Sequence, residues 1–347
     1  MPNVLPSPNS LRRLLAGLLL AVGLGLSAAS TASADEALDR SFAGKTSAEQ
    51  VEKLIGLWHN TYGGAHSLLE RRAAFEKFMA STPEPTRVQI KHVDADGVAA
   101  DLFLPARLHY TLGKRVILYV HGGGFYSGSL RTHRNIAAAL AKAASAEVLL
   151  IDYRLMPEHM YPAQVDDTLT AYRWLLESGY ESENIAIVGE SVGGNLAIEA
   201  TLRQMQVKGP LPSSVVVMSP VTDLAVTGAS MADNAERDPL IGKDHLELVS
   251  KTYLGVRSPT DPAVSPLYAD LKGFPPLLIQ VGSRETLLDD SIRLARKATL
   301  ADVPVTLEVW PGMIHQWQLF QFWLRDARRS NDSAAAFADS HFHFAEQ

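Results

Sequence analysis

The chain has 347 residues, 46% of them hydrophobic and 20% charged, with a formal net charge of −6. That length supports one large α/β domain with a substantial core, or two smaller ones. The acidic balance, with no basic block, excludes nucleic acid as an expected partner and gives no sign of steering toward anionic substrates, while the absence of cysteine excludes a thiol nucleophile, a Cys-ligated metal, a disulfide framework and a lipoprotein anchor.

Arg12-Arg13 precedes an apolar run of 13 residues, Leu14 to Leu26, and then Ala32-Ser33-Ala34 before Asp35. A basic start, an apolar centre and a small-residue cleavage site describe a secretory signal peptide over residues 1–34. The run falls short of the ~18–20 residues that span a bilayer, so no stable membrane anchor is expected. The mature protein is expected to be exported, periplasmic or secreted. The paired arginines hint at twin-arginine export, though their flanking residues fit that signal poorly.

Residues 35–84 are expected to be helical. Thr46-Ser47 offers an N-cap with Glu49 and Gln50 in the first turn. Val51, Leu54, Ile55 and Trp58 share a helical face, and Gly63-Gly64 ends it. Leu68, Leu69, Phe75, Phe78 and Met79 form a second amphipathic segment before Pro83 and Pro85. Helices ahead of the first strand have no slot inside a doubly wound sheet, so they are expected above it or at its edge, as part of a lid.

After Pro85 strands and helices alternate. Val88–Val93 and Ala99–Leu104 flank Asp96-Gly97 and read as an antiparallel hairpin. Apolar strands follow at Val116–Val120, Val148–Ile151, Ile185–Val188, Val215–Met218, Leu277–Val281 and Val305–Val309, with helical patterns such as Asn135–Ala144 and Asp166–Leu176 between them. Near-continuous apolar strands alternating with helices predict an α/β fold, a mostly parallel sheet of about eight strands covered on both faces. The stretch from Pro220 to Pro275 is too long for one crossover. It predicts a helical insertion at about 222–272, within a catalytic domain of residues 85–347, that joins the N-terminal helices as a cap.

Three motifs fall at strand ends. His121-Gly122-Gly123-Gly124-Phe125 follows Val116–Val120, on the sheet edge where ligands bind in open α/β sheets. Consecutive glycines leave backbone N–H groups unobstructed, the form of an oxyanion hole. A phosphate loop would carry Gly-Lys-Ser or Gly-Lys-Thr, and neither is present. Gly189-Glu190-Ser191-Val192-Gly193 lies between a strand and a helix, which describes a nucleophile elbow with the Val192 N–H beside the serine. His315, in Trp310-Pro-Gly-Met-Ile-His315, lies just beyond the last strand and is the candidate base. Of the other later histidines, His245 reads as structural or surface, and His341 and His343 as a weak candidate metal pair. For the acid, Glu285 lies in the loop after Leu277–Val281, and Asp289 and Asp290 in the first turns of the next helix.

These motifs resemble the bacterial hormone-sensitive-lipase-like esterases of the α/β-hydrolase fold. The resemblance rests on His121–Phe125, Asp152-Tyr-Arg-Leu155 with Pro157-Glu-His159 and Tyr161-Pro-Ala163, Gly189–Gly194 and His315. It covers the chain from about Val88 onward. It implies oxyanion donors at Gly123, Gly124 and Val192, and a triad of Ser191, His315 and an acid. The family's acid is usually an Asp opening a D-P-L-x-D run about 30 residues before the His. Glu285-Thr-Leu-Leu-Asp289 occupies that register, so Glu285 is the first choice and Asp289 the second. Glu190 and Val192 replace the commoner Asp and Ala. Arg154 and Glu158 read as a buried structural network.

The implied activity is hydrolysis of short-to-medium acyl carboxylic esters through an acyl-enzyme, with no metal or organic cofactor required. Leu287–Ser291 and Glu308–His315 look similar to the branch with lactone hydrolases, so a lactone hydrolase is one alternative and a deacetylase another. A non-catalytic small-molecule binding module on the same fold is the alternative of a different class, and the presence of His315 argues against it.

Overall fold

Strand formation follows the apolar runs closely. The computed structural model describes residues 46–107 and 113–343; the expected signal peptide and residues 35–45 lie outside them. The strands are β1 (Val88–Asp94), β2 (Ala99–Pro105), β3 (Val116–Val120), β4 (Glu147–Ile151), β5 (Ile185–Glu190), β6 (Ser214–Met218), β7 (Leu277–Gly282) and β8 (Val305–Trp310). They form one eight-stranded sheet in the order β1-β2-β4-β3-β5-β6-β7-β8. β2 pairs antiparallel with both β1 and β4, and the remaining pairs are parallel. The expected antiparallel hairpin is therefore present, but only β2 runs against the sheet.

The helices are α1 (Ala48–Tyr62), α2 (Leu68–Ala80), α3 (Arg134–Ala144), α4 (Ala163–Glu177), α5 (Val192–Gln206), α6 (Ser230–Asp233), α7 (Lys243–Leu254), α8 (Leu288–Leu300) and α9 (Arg325–Ser340). The period-2 alternation of the central strands feeds two cores. Val116, Leu118 and Val120 of β3 join residues of α4, α5, α7 and α8 on one face. Ile117 and Tyr119 join α3, α9 and the N-terminal helices on the other. A strand buried on both faces must be apolar at every position, which is why these runs are continuous.

α1 starts where expected. Ser47 is the N-cap, and with Gln50 it forms a capping box. Its buried stripe is Val51, Leu54 and Trp58. Trp58 stacks on Tyr62 at 5.7 Å and meets Phe78 and Phe320 edge-on at 5.1 and 5.5 Å. This aromatic cluster fixes α1 and α2 to the segment that follows the candidate base. The long interval after β6 holds α6, α7 and a short 3₁₀ turn, Pro266–Tyr268. No helix among the described residues is long and apolar enough to cross a membrane.

One expectation fails on burial. Arg154 and Glu158 are not a buried network; their side chains are 48% and 50% exposed. Arg154 pairs with Asp167 at 2.6 Å, and Glu158 pairs with Arg72 of α2 at 2.7 Å. The β4–α4 connection runs over the surface, where these charges keep their hydration and each still finds a partner.

Trp58→Ala would leave a cavity at the centre of the aromatic cluster. The expected cost is about 3–5 kcal/mol, read from the midpoint shift in urea unfolding.

Candidate active site

Ser191 sits between β5 and α5 with φ 55° and ψ −122°. A non-glycine residue there carries strain of about 1–3 kcal/mol, and persists only where its surroundings over-determine it. They do so here. The Ser191 N–H donates to Met218 O at 2.8 Å, and its carbonyl accepts from Gly194 N and Val221 N at 3.0 and 3.2 Å. The two flanking glycines have a steric reason. A Cβ at Gly189 would overlap the Gly193 carbonyl, and one at Gly193 would overlap the carbonyls of Val120 and His121. The elbow is thus pressed against the end of β3, where the glycine loop begins.

That loop turns through positive φ at Gly123, Gly124 and Phe125, at 111°, 64° and 61°. Gly123 O accepts from the N–H groups of Tyr126 and Ser127 at 3.2 and 2.9 Å, which closes the turn. Phe125 lies flat on Tyr253 of α7, with centroids 3.7 Å apart and planes 2° from parallel. Among the described residues, no acceptor takes a hydrogen bond from the N–H of Gly123, Gly124 or Val192. All three residues line one cavity with Ser191 and His315.

Glu190, inside the elbow motif, is fully buried. Its Oε2 accepts from Gly122 N at 3.0 Å and lies 3.2 Å from His133 Nε2, and its Oε1 accepts from Gln316 Nε2 at 2.8 Å. Burial alone would raise its pKa, but the His133 hydrogen bond and charge, His315 and Gln316 hold it below the usual carboxylate range. His121 stacks between Tyr153 at 4.2 Å and His133 at 5.1 Å. Burial first, and His133 second, push its pKa down to about 3, so it is neutral.

His315 Nε2 lies 3.0 Å from Ser191 Oγ, and its Nδ1 lies 2.9 Å from Glu285 Oε2. The other Glu285 oxygen accepts from Ser219 Oγ at 2.8 Å and Gly282 N at 2.5 Å. Asn234 of the insertion donates to Glu285 O at 2.8 Å. Burial pulls the His315 pKa down, yet Glu285, aided by Asp238 and Glu190, holds it above the ordinary imidazole value. Asp289 turns away and accepts from Ser230 N at 3.0 Å. Asp290 is buried and accepts from Thr222 N and Asp223 N at 2.7 and 3.0 Å. Of the three candidate acids, only Glu285 meets His315.

The cavity over Ser191 is a narrow slot of about 40 Å³. α2 contributes Arg71 and Phe75 to its wall, and the insertion contributes Leu240, Ile241, His245, Leu246 and Val249. His245, expected as structural or surface, is part of this cavity wall. The sequence missed Arg71, Tyr126 and Gln316 as lining residues, because nothing local marks which side chains meet a distant serine. His341 Nδ1 is 2.8 Å from Phe337 O, and no cluster of three His, Cys, Asp or Glu among the described residues could hold a metal.

Residues 117–319 match a family described as alpha/beta hydrolase fold. An acetyl-hydrolase of Streptomyces hygroscopicus is 38% identical over 295 residues, 83% of this chain and 95% of its own. An esterase of Acinetobacter venetianus is 38% identical over 270 residues, 78% of this chain and 88% of its own. A crystal structure of an esterase from the bacterial hormone-sensitive lipase family is similar with TM-score 0.82 and 38% identity, over 85% of this chain and 99% of that one.

The His315 environment has a direct readout. In imidazole NMR titrations, His315 is expected to protonate above the ordinary imidazole pKa. Glu285→Gln removes the neighbouring negative charge, destabilises the imidazolium and moves that titration to lower pH. Asp289→Asn is expected to leave it in place.

Proposed function

The chain belongs to the α/β-hydrolase fold family, among its bacterial hormone-sensitive-lipase-like esterases, and is a carboxylic ester hydrolase; from that premise we propose that Ser191 is the nucleophile, His315 the general base and Glu285 the acid that orients it. The observation that carries this is the continuous hydrogen-bonded line from Ser191 Oγ through His315 to Glu285, at 3.0 and 2.9 Å. It lies beneath a cavity also lined by Gly123, Gly124 and Val192.

Glu285 accepts a hydrogen bond from Nδ1–H of His315, which leaves the Nε2 lone pair facing Ser191. His315 removes the Ser191 proton as Oγ bonds to the ester carbonyl carbon. Negative charge then develops on the carbonyl oxygen, and the N–H groups of Gly123, Gly124 and Val192 receive it. When the intermediate collapses, the ester C–O bond breaks and His315 protonates the departing alcohol. Water repeats the sequence on the acyl-enzyme and releases the acid. The narrow slot favours the short end of the short-to-medium acyl range, and the likeness to an acetyl-hydrolase points the same way. Of the expected cap segment 35–84, the described residues 46–84 serve as the cap together with the insertion at about 222–272, and residues 1–34 as a removable export signal.

Two measurements check these roles. On p-nitrophenyl esters of increasing chain length, with a lactone included, turnover is expected to be highest for the shortest acyl groups. Ser191→Ala is expected to abolish it, Glu285→Gln to lower kcat by about 10³–10⁴-fold, and Asp289→Asn to change it only a few-fold. A larger loss from Asp289→Asn than from Glu285→Gln would transfer the acid role to Asp289. A folded protein that turned over none of these esters would leave the binding-module reading. For export, N-terminal sequencing of the mature protein is expected to begin at Asp35; a chain retaining Met1 or Arg12 would remove the signal-peptide assignment.

A further inference from the structure

Arg71 and Arg72 are neighbours on α2 with different surroundings. Arg72 donates to both carboxylate oxygens of Glu158, at 2.8 and 2.7 Å. Arg71 instead lines the cavity with Ser191 and His315. Its guanidinium lies 4.1 Å from the centroid of the Tyr62 ring, and its Nε donates to the Tyr126 hydroxyl at 3.2 Å. Among the described residues, no carboxylate pairs with Arg71 and no acceptor takes a hydrogen bond from its Nη atoms.

The other lining groups leave that charge unmatched. Arg71 is the one permanently charged side chain among the lining residues; the rest are apolar or uncharged, apart from His245 and His315. The Tyr126 hydroxyl also meets His245 Nε2 at 3.3 Å. Burial, and then the charge on Arg71, push the His245 pKa down to about 4, so His245 adds no second charge at neutral pH. Glu190 is committed to Gly122, His133 and Gln316. A guanidinium stacked on an aromatic ring and tethered through Nε keeps its two Nη groups as a planar fork, which matches a carboxylate in a bidentate manner. The chain's net charge of −6 gives no long-range attraction for anions, so selection of this kind is local.

We propose that Arg71, held by Tyr62 and Tyr126, is a specificity residue that binds a carboxylate carried on the ester substrate while Ser191 takes the ester carbonyl. Its preferred substrates are esters whose acyl or alcohol portion bears a carboxylate. This rests on the esterase reading above, and the experiment separates the two.

Two matched pairs serve as probes. Mono-p-nitrophenyl glutarate against p-nitrophenyl valerate places the carboxylate on the acyl side. 4-Acetoxybenzoate against its methyl ester places it on the alcohol side. In at least one pair, kcat/KM is expected to be higher for the carboxylate, and R71Q is expected to lower the charged-to-neutral ratio by about tenfold or more, mainly through KM. R71K, which retains the charge but not the fork, is expected to recover part of the ratio. An equal loss on charged and neutral esters would overturn the proposal and leave Arg71 a tether of α2. An unchanged ratio in both pairs would overturn it as well. Calorimetric binding of glutarate and 4-hydroxybenzoate to the Ser191→Ala protein gives a readout independent of turnover. At least one is expected to bind about tenfold more weakly when R71Q is added; binding of neither, or no loss, would overturn the proposal. Inactivity of the wild-type protein on all four esters, with glutarate or 4-hydroxybenzoate still bound through Arg71, would count against the esterase reading alone.

Discussion

A buried carboxylate with donors from three loops is the constraint on which the site depends. Glu190 is held by Gly122 of the glycine loop, His133 at the start of α3 and Gln316 beside the candidate base. An ionised carboxylate away from water is costly unless its lone pairs are met. Each donor comes from a segment remote in sequence, so meeting that need brings the segments together. The elbow, the glycine loop and the His315 loop are thereby placed in register. Gly122 has no room for a side chain, because a Cβ would collide with the Glu190 carboxylate.

The insertion does more than roof the cavity. Asn234 holds the Glu285 carbonyl, and Asp238 accepts from Thr286 N at 2.9 Å. Tyr253 of α7 stacks on Phe125, at the end of the glycine loop. The same insertion therefore braces the Glu285 loop on one side of Ser191 and the glycine loop on the other. The strained backbone of Ser191 is tolerated because the elements around it are fixed in this way.

The central strands were legible because burial on both faces forces apolar runs, and each of the eight anticipated strands, the partly exposed β1 and β8 included, is present to within two residues at either end. The motifs were legible because close backbone approach requires glycine, as at Gly189 and Gly193. α9 was not anticipated. Its buried stripe is largely alanine, Ala327, Ala334, Ala335 and Ala338, which gives little hydrophobic contrast. The acid could be narrowed to a loop but not chosen, since helix N-termini attract Asp and Glu for unrelated reasons. Asp289 and Asp290 illustrate this: one caps the insertion, and the other ties the β6 loop to α8. The cavity wall was the least legible part. Arg71 and His245 lie far apart in the chain, and only the tertiary fold brings them to the same tyrosine.

That separation has a consequence for how such a protein can diversify. Ser191, His315 and Glu285 sit on loops of a sheet whose central strands are buried on both faces, so few substitutions there are neutral. The wall of the slot comes from two helical segments with their own surfaces and their own anchors, the Trp58 cluster for one and Tyr253 for the other. Selection can therefore vary what is admitted to the slot largely independently of what is done to it. A change at Arg71 alters neither Glu190 nor the line from Ser191 to Glu285, and one chemistry can be redirected among many esters by mutation in the roof alone.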